Sequence, residues 1–173
     1  EEKDNSNVEE SYLLSETERD MLSKVTKSFE KVIVILNVGN IIDMKWVAEF
    51  DPDAVLYAWQ GGQEGGNGVL DVLTGEVSPS GKLTDTWAKT YADVPFGGEF
   101  SSLDGDPKES YYREGIYVGY RYYDSFGVEP AFPFGFGLSY TDFSLECTGV
   151  EIRGSEILVQ TKVTNTGDRY AGK

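Results

Sequence analysis

Acid/base chemistry in this chain falls to carboxylates, lysines or tyrosines, because its 173 residues include no histidine and a single cysteine, Cys147. Without histidine there is neither histidine–metal ligation nor a Ser-His-Asp triad, and one cysteine makes no internal disulfide and no cysteine-rich metal site. Thirty acidic side chains stand against fifteen basic ones, a formal net charge of −15. Such a surface repels phosphate backbones and anionic membranes, so nucleic acid and membrane are not expected partners. Neutral or cationic ligands suit it better.

Most carboxylates that draw the eye have an ordinary structural reading. Glu64 stands at a helix start, where the macrodipole favours an anion. Glu114 adjoins Arg113 and reads as paired or solvated. Asp124, after "YRYY", reads as a turn or strand-end group, and Asp43 as a helix N-cap or first-turn acid. The stretch "AVLYAWQGGQEGGNGVLDVLTG" places five glycines within residues 61–68. No lysine lies between Lys45 and Lys82, so the Walker pattern fails, and no spacing of these glycines satisfies G-x-G-x-x-G. The turn is not a phosphate loop, and no cofactor is expected. It serves either tight helix–strand packing or a bare backbone facing a ligand or a second domain.

The elements that must position these groups follow from pattern. "SETE" at Ser15–Glu18 reads as a capping box, and Met21, Leu22, Val25 and Phe29 share a helical face through about Glu30. Val32–Leu36, apolar throughout and largely β-branched, predicts a strand buried on both faces. "IIDMKWVAEF" predicts a short helix and Ala54–Trp59 a second buried strand. A helix follows from Glu64, with Gly75 as its C-cap, and "KLTDTW" predicts a third strand. This alternation indicates an α/β fold with a mostly parallel sheet flanked by helices. Residues 88–140 are rich in Gly, Pro, Asp and aromatics, with one strand-like run, "GIYVGYRYYD". Residues 141–173 alternate apolar and polar around an "RGS" turn, like the first hairpin of a truncated β-sandwich.

Four segments in register, "NVGNIIDMKW", "AVLYAWQGGQEGGNGVLDVLTGEVSPSGKLTDTW", "YREGIYVGYRYYDSFGVEPAFPFGFGLSYTDF" and "VTNTGDRYAG", closely resemble the second domain of family 3 glycoside hydrolases. The resemblance runs almost end to end. It implies that residues 1–140 are part of a six-stranded α/β sandwich and that 141–173 begin a fibronectin type III-like domain. It further implies a partner (β/α)₈-type barrel, on either side of this chain, that carries a nucleophilic aspartate. The family's acid/base glutamate lies in a segment like S-G-E-G-x-D-R, followed by a spacer and "YYLS". An ungapped match over "EEKDNSNVEESYLLS" puts Glu1 at the acid/base, with Glu2 for the usual glycine, Asp4 for the aspartate and Asn5 for the arginine.

What the resemblance implies is a segment of a retaining β-glucosidase-like enzyme that hydrolyses terminal β-D-glucosides, with Glu1 as general acid/base in an interdomain site. Its ligand is a saccharide, and the chain alone is expected to be inactive. The alternatives are a β-xylosidase or arabinofuranosidase of the same family, or a non-catalytic carbohydrate-binding domain. Trp46, Trp59, Trp87 and the tyrosines between Tyr111 and Tyr123 offer either core packing or platforms for sugar rings. "EEKDNSNVEE" lacks the basic-then-apolar order of a signal peptide, and location stays open between cytoplasmic and secreted.

Overall fold

The computed structural model describes residues 6–102, 108–109 and 111–169. They form two units. One takes in the described residues of Glu1–Gln63 and Leu83–Phe136, the other those of Glu64–Lys82 and Gly137–Lys173.

The first unit opens with helix α1, Glu16–Ser28. Its capping box forms as expected: the Ser15 amide donates to Glu18 Oε2 at 2.8 Å, and the Glu18 amide donates to Ser15 Oγ at 3.3 Å. Such a cap contributes about 1 kcal/mol. Leu22 of α1 meets Leu36 and Trp46 in the buried core, with Val34, Val47, Val55 and Tyr57 packed around them. Strand β1, Ile33–Leu36, pairs in parallel with β2, Ala54–Tyr57, Ile33 opposite Ala54 and Leu36 opposite Tyr57. The parallel pairing needs a crossover. Helix α2, Lys45–Phe50, supplies it, and Arg19 of α1 clasps the Glu49 carboxylate on it.

Two expectations of burial and two of secondary structure need correction. Leu36 and Val34 face the core, whereas Ile33 and Ile35 are 53% and 44% exposed. The all-apolar run of β1 is therefore covered on one face only by the described residues. β2 is likewise partly exposed rather than buried on both faces. "KLTDTW" does not join the sheet. It runs beside residues 131–136, with the Leu83 amide donating to Phe136 O and the Trp87 amide to Phe132 O, each at 2.8 Å. Pro130 and Pro133 lack amide hydrogens, which limits this pairing to an isolated bridge. The run "GIYVGYRYYD" is not a strand: helix α4, Tyr120–Phe126, occupies its second half. Gly119 (φ 58°) and Gly127 (φ 66°) bracket it in left-handed backbone, and only Tyr123 of its tyrosines is buried.

In the second unit, helix α3, Gly65–Thr74, starts at Glu64 and ends at a left-handed Gly75, both as expected. Strands β3, Phe143–Arg153, and β4, Glu156–Asn165, make an antiparallel hairpin turning at Gly154–Ser155, with a bulge between Cys147 and Gly149. Tyr140 ties its approach to α3 by donating from Oη to Val72 O at 2.8 Å. The Ser78 and Ser139 hydroxyls meet at 2.9 Å. The architecture is thus α/β with a parallel pair, followed by a β-hairpin.

Candidate functional site

Glu1 lies outside the described residues, so the site is built from the segment that leads to it. Residues 6–15 fold back on themselves. The Val8 and Tyr12 amides donate to Ser6 O at 2.7 and 3.1 Å, and the Ser6 amide donates to Ser11 Oγ at 2.9 Å. Tyr12 fixes this knot to the body of its unit. Its carbonyl accepts from the Asp43 amide at 2.8 Å, and its ring, 5% exposed, stands edge-on to Tyr91 at 5.3 Å. Asp43 ends the loop that leaves the C-terminal end of β1. The knot is therefore pinned to that edge of the parallel pair, where open α/β sheets hold their ligands.

Around Tyr12 the polar groups are buried and sparsely partnered. Burial first, then the charge of Asp43 and smaller contributions from Tyr123, Asp93 and Tyr91, push the Tyr12 phenol up to about 12. Burial and the Asp93 charge do the same for Tyr123. Both phenols stay neutral at physiological pH. Tyr12 Oη and Asp43 Oδ1 have no hydrogen-bond partner among the described residues. Asp43 Oδ2 instead accepts from the Lys45 amide at 3.3 Å, so the acid caps α2 from one position before its N-cap, Met44. The cluster mounts residues 6–15 on the body of their unit.

A second group of side chains occupies the same edge. Tyr57, closing β2, donates from Oη to Asn40 O at 3.0 Å, and its ring meets Trp59 at 4.2 Å and Trp87 at 5.0 Å. Burial and the Asp85 charge raise the Tyr57 phenol, keeping it a donor. Gln60 lays its amide over Gly39, where an added Cβ would meet it at 3.1 Å. Trp59 sits at φ 57°, left-handed backbone that a bulky aromatic adopts only under strain. Trp46 and Trp87 are core residues, whereas Trp59 is half-buried. Gln60, Asn40 and Tyr12 were not among the expected site residues. Their signal was position: Asn40 and Gln60 follow the two strands, and Tyr12 precedes the capping box.

The remaining candidates disperse. Glu64 accepts from Asn67 Nδ2 within its own helix start. Arg113 pairs with Glu99 at 2.9 Å instead of Glu114. Asp124 lines a pocket of about 170 Å³ with Thr86, Tyr120, Tyr123, Pro130, Pro133 and Phe134. Tyr120 is engaged there by Phe134 (5.3 Å) and by Arg121 over its ring. Tyr122 packs against Tyr123 and Phe126. Among the described residues, no group of three or more His, Cys, Asp or Glu side chains is placed to hold a metal ion.

Residues 1–120 match the glycosyl hydrolase family 3 C-terminal domain. The whole chain aligns with a β-glucosidase from Ruminococcus albus at 48% identity, covering 18% of that protein. It is 38% identical to thermostable β-glucosidase B of Acetivibrio thermocellus over 92% of its own length and 21% of the relative's. Among solved structures, β-glucosidase 3B of Thermotoga neapolitana in complex with α-D-glucose superposes with a TM-score of 0.89 at 43% identity. That superposition covers 96% of this chain and 24% of the other. The chain thus spans about a fifth of the length of the curated relatives named here.

Proposed function

The chain belongs to glycosyl hydrolase family 3, and we propose that it is the acid/base side of a retaining enzyme that hydrolyses terminal β-D-glucosides. The observation that carries this reading is the 0.89 superposition, at 43% identity, on a β-glucosidase bound to glucose. The relatives named above are β-glucosidases, which favours glucosides over xylosides or arabinofuranosides, and an enzyme over a binding module.

In this reading Glu1 is the general acid/base, and a barrel elsewhere in the polypeptide carries the nucleophilic aspartate. Retention needs the two carboxyl groups about 5–5.5 Å apart across the scissile bond. The aspartate attacks the anomeric carbon while Glu1 protonates the departing oxygen; Glu1 then takes a proton from the water that releases the sugar. The pinned knot at Ser6–Ser15 supports the assignment, because it anchors the approach to Glu1 at the C-terminal edge of the sheet. We also retain residues 1–140 as the sandwich part and 141–173 as the start of a fibronectin type III-like domain, for which the β3–β4 hairpin speaks.

The test is Glu1→Gln in the intact enzyme. Hydrolysis of substrates with poor leaving groups should fall by about 10²–10⁴-fold, while activated aryl glucosides lose less. Azide should restore turnover and give β-glucosyl azide of retained configuration. Unchanged kinetics would remove Glu1 from the mechanism.

A further inference from the structure

We propose that the pocket of about 170 Å³ beside α4 binds a small hydroxyalkylammonium cation, held by the Asp124 carboxylate, the rings of Tyr120 and Phe134 and the Thr86 hydroxyl. All of these residues belong to the first unit. Tyr120, Tyr123 and Asp124 stand at i, i+3 and i+4 of α4, the spacing that puts three side chains on one helical face. The glycines at φ 58° and 66° fix where that helix begins and ends. Thr86 is set opposite by the backbone pairing of its neighbour. The Trp87 amide donates to Phe132 O at 2.8 Å, and the Ala131 amide donates to Trp87 O at 2.7 Å. Pro130 and Pro133, locked in φ by their rings, complete a wall that is stiff before any ligand arrives.

Two polar groups of this pocket have no partner among the described residues. Asp124 makes no hydrogen bond or ion pair there, although its carboxylate shares the pocket with aromatic and proline rings. Thr86 Oγ1 is buried and likewise unpartnered. A carboxylate beside aromatic faces selects a cation, which the negative charge and the ring quadrupoles attract together. The Tyr120 and Phe134 rings stand 5.3 Å apart at 34°. Arg121, which does not line the pocket, lies over the Tyr120 ring at 5.6 Å, so that ring already carries one cation. The orphaned Thr86 hydroxyl offers a hydrogen bond to a hydroxyl on the ligand. The volume falls below the roughly 300 Å³ of pockets that take drug-sized ligands, which suits a molecule the size of choline. The net charge of −15 favours such a cation and disfavours one that carries a phosphate, as a lipid headgroup does.

The experiment titrates choline into the intact enzyme by calorimetry, beside phosphocholine, tetramethylammonium and the neutral isostere in which carbon replaces the nitrogen of choline. Choline should bind with a Kd on the order of 1 mM. The isostere and phosphocholine should each bind about tenfold more weakly, and tetramethylammonium, which lacks the hydroxyl, about threefold. Asp124 is exposed, so Asp124→Asn should leave Tm and glucoside turnover unchanged while weakening choline about tenfold. Tyr120→Leu should weaken it about fivefold. No binding of choline at tens of millimolar, equal binding of the isostere, or binding that Asp124→Asn leaves intact would each overturn the assignment. Tighter binding of phosphocholine than of choline would overturn it in favour of a lipid headgroup.

Discussion

Replacing Tyr12 separates its ring from its hydroxyl, and the two should act in opposite directions. The ring is 5% exposed and edge-on to Tyr91, so Tyr12→Ala removes a buried aromatic at a cost of about 3–5 kcal/mol. The hydroxyl is buried, has no partner among the described residues and faces the Asp43 charge. Removing a donor that makes no bond relieves desolvation of about 1–3 kcal/mol, so Tyr12→Phe should be neutral or stabilising. Hydrogen–deuterium exchange of the intact enzyme reads this locally, on peptides covering 6–15 and 41–46. The Asp43 amide, bonded to Tyr12 O, should open about 10²–10⁴-fold more often in Tyr12→Ala and no more often in Tyr12→Phe. Matching deprotection in Tyr12→Phe would show that the hydroxyl makes a bond the structure lacks, and the reasoning about an unpartnered mounting would fall.

Three further outcomes are expected. A Cβ at Gly137 would stand 2.5 Å from Gly81 O and 2.9 Å from Lys82 Cδ, so Gly137→Ala should destabilise by about 1–3 kcal/mol in urea unfolding, with Gly98→Ala, in open space, as the neutral comparison. The Tyr12 and Tyr123 phenols are raised from 10.0 to about 12, so their folded pKa exceeds the unfolded one. Their stabilisation is complete below pH 10 and disappears as pH rises towards 12; absorbance at 295 nm should show two tyrosines ionising only with alkaline unfolding, and early ionisation of all eleven would contradict this. The 173-residue chain by itself should not turn over nitrophenyl β-glucoside, and turnover lost on Glu1→Gln would prove it self-sufficient.

What was legible in the sequence was whatever local chemistry decides. Ser15 and Glu18 satisfy each other within one turn, Gly75 takes the left-handed φ of 78° that ends α3, and the "RGS" turn closes its hairpin. The failures were decided at a distance. "KLTDTW" alternates like a strand, yet its neighbours are the proline-interrupted residues 131–136, and no local pattern announces such a partner. In "GYRYYD" the tyrosines suit strand or helix equally, and the two flanking glycines at positive φ settled the matter. Of the site, the amides of Asn40 and Gln60 escaped notice because only the parallel register brings the two loops together.

On the proposed reading, the Ser6–Ser15 knot matters because it holds the approach to the proton donor. Ser6 is the first described residue whose backbone is held, by Ser11, Val8 and Tyr12. A retaining pair tolerates little misplacement, since an error of about 1 Å can cost roughly 100-fold in rate. The knot therefore sets the direction of approach. On the proposed reading, Tyr12→Ala should weaken turnover of the intact enzyme by loosening the mounting, and Tyr12→Phe should not.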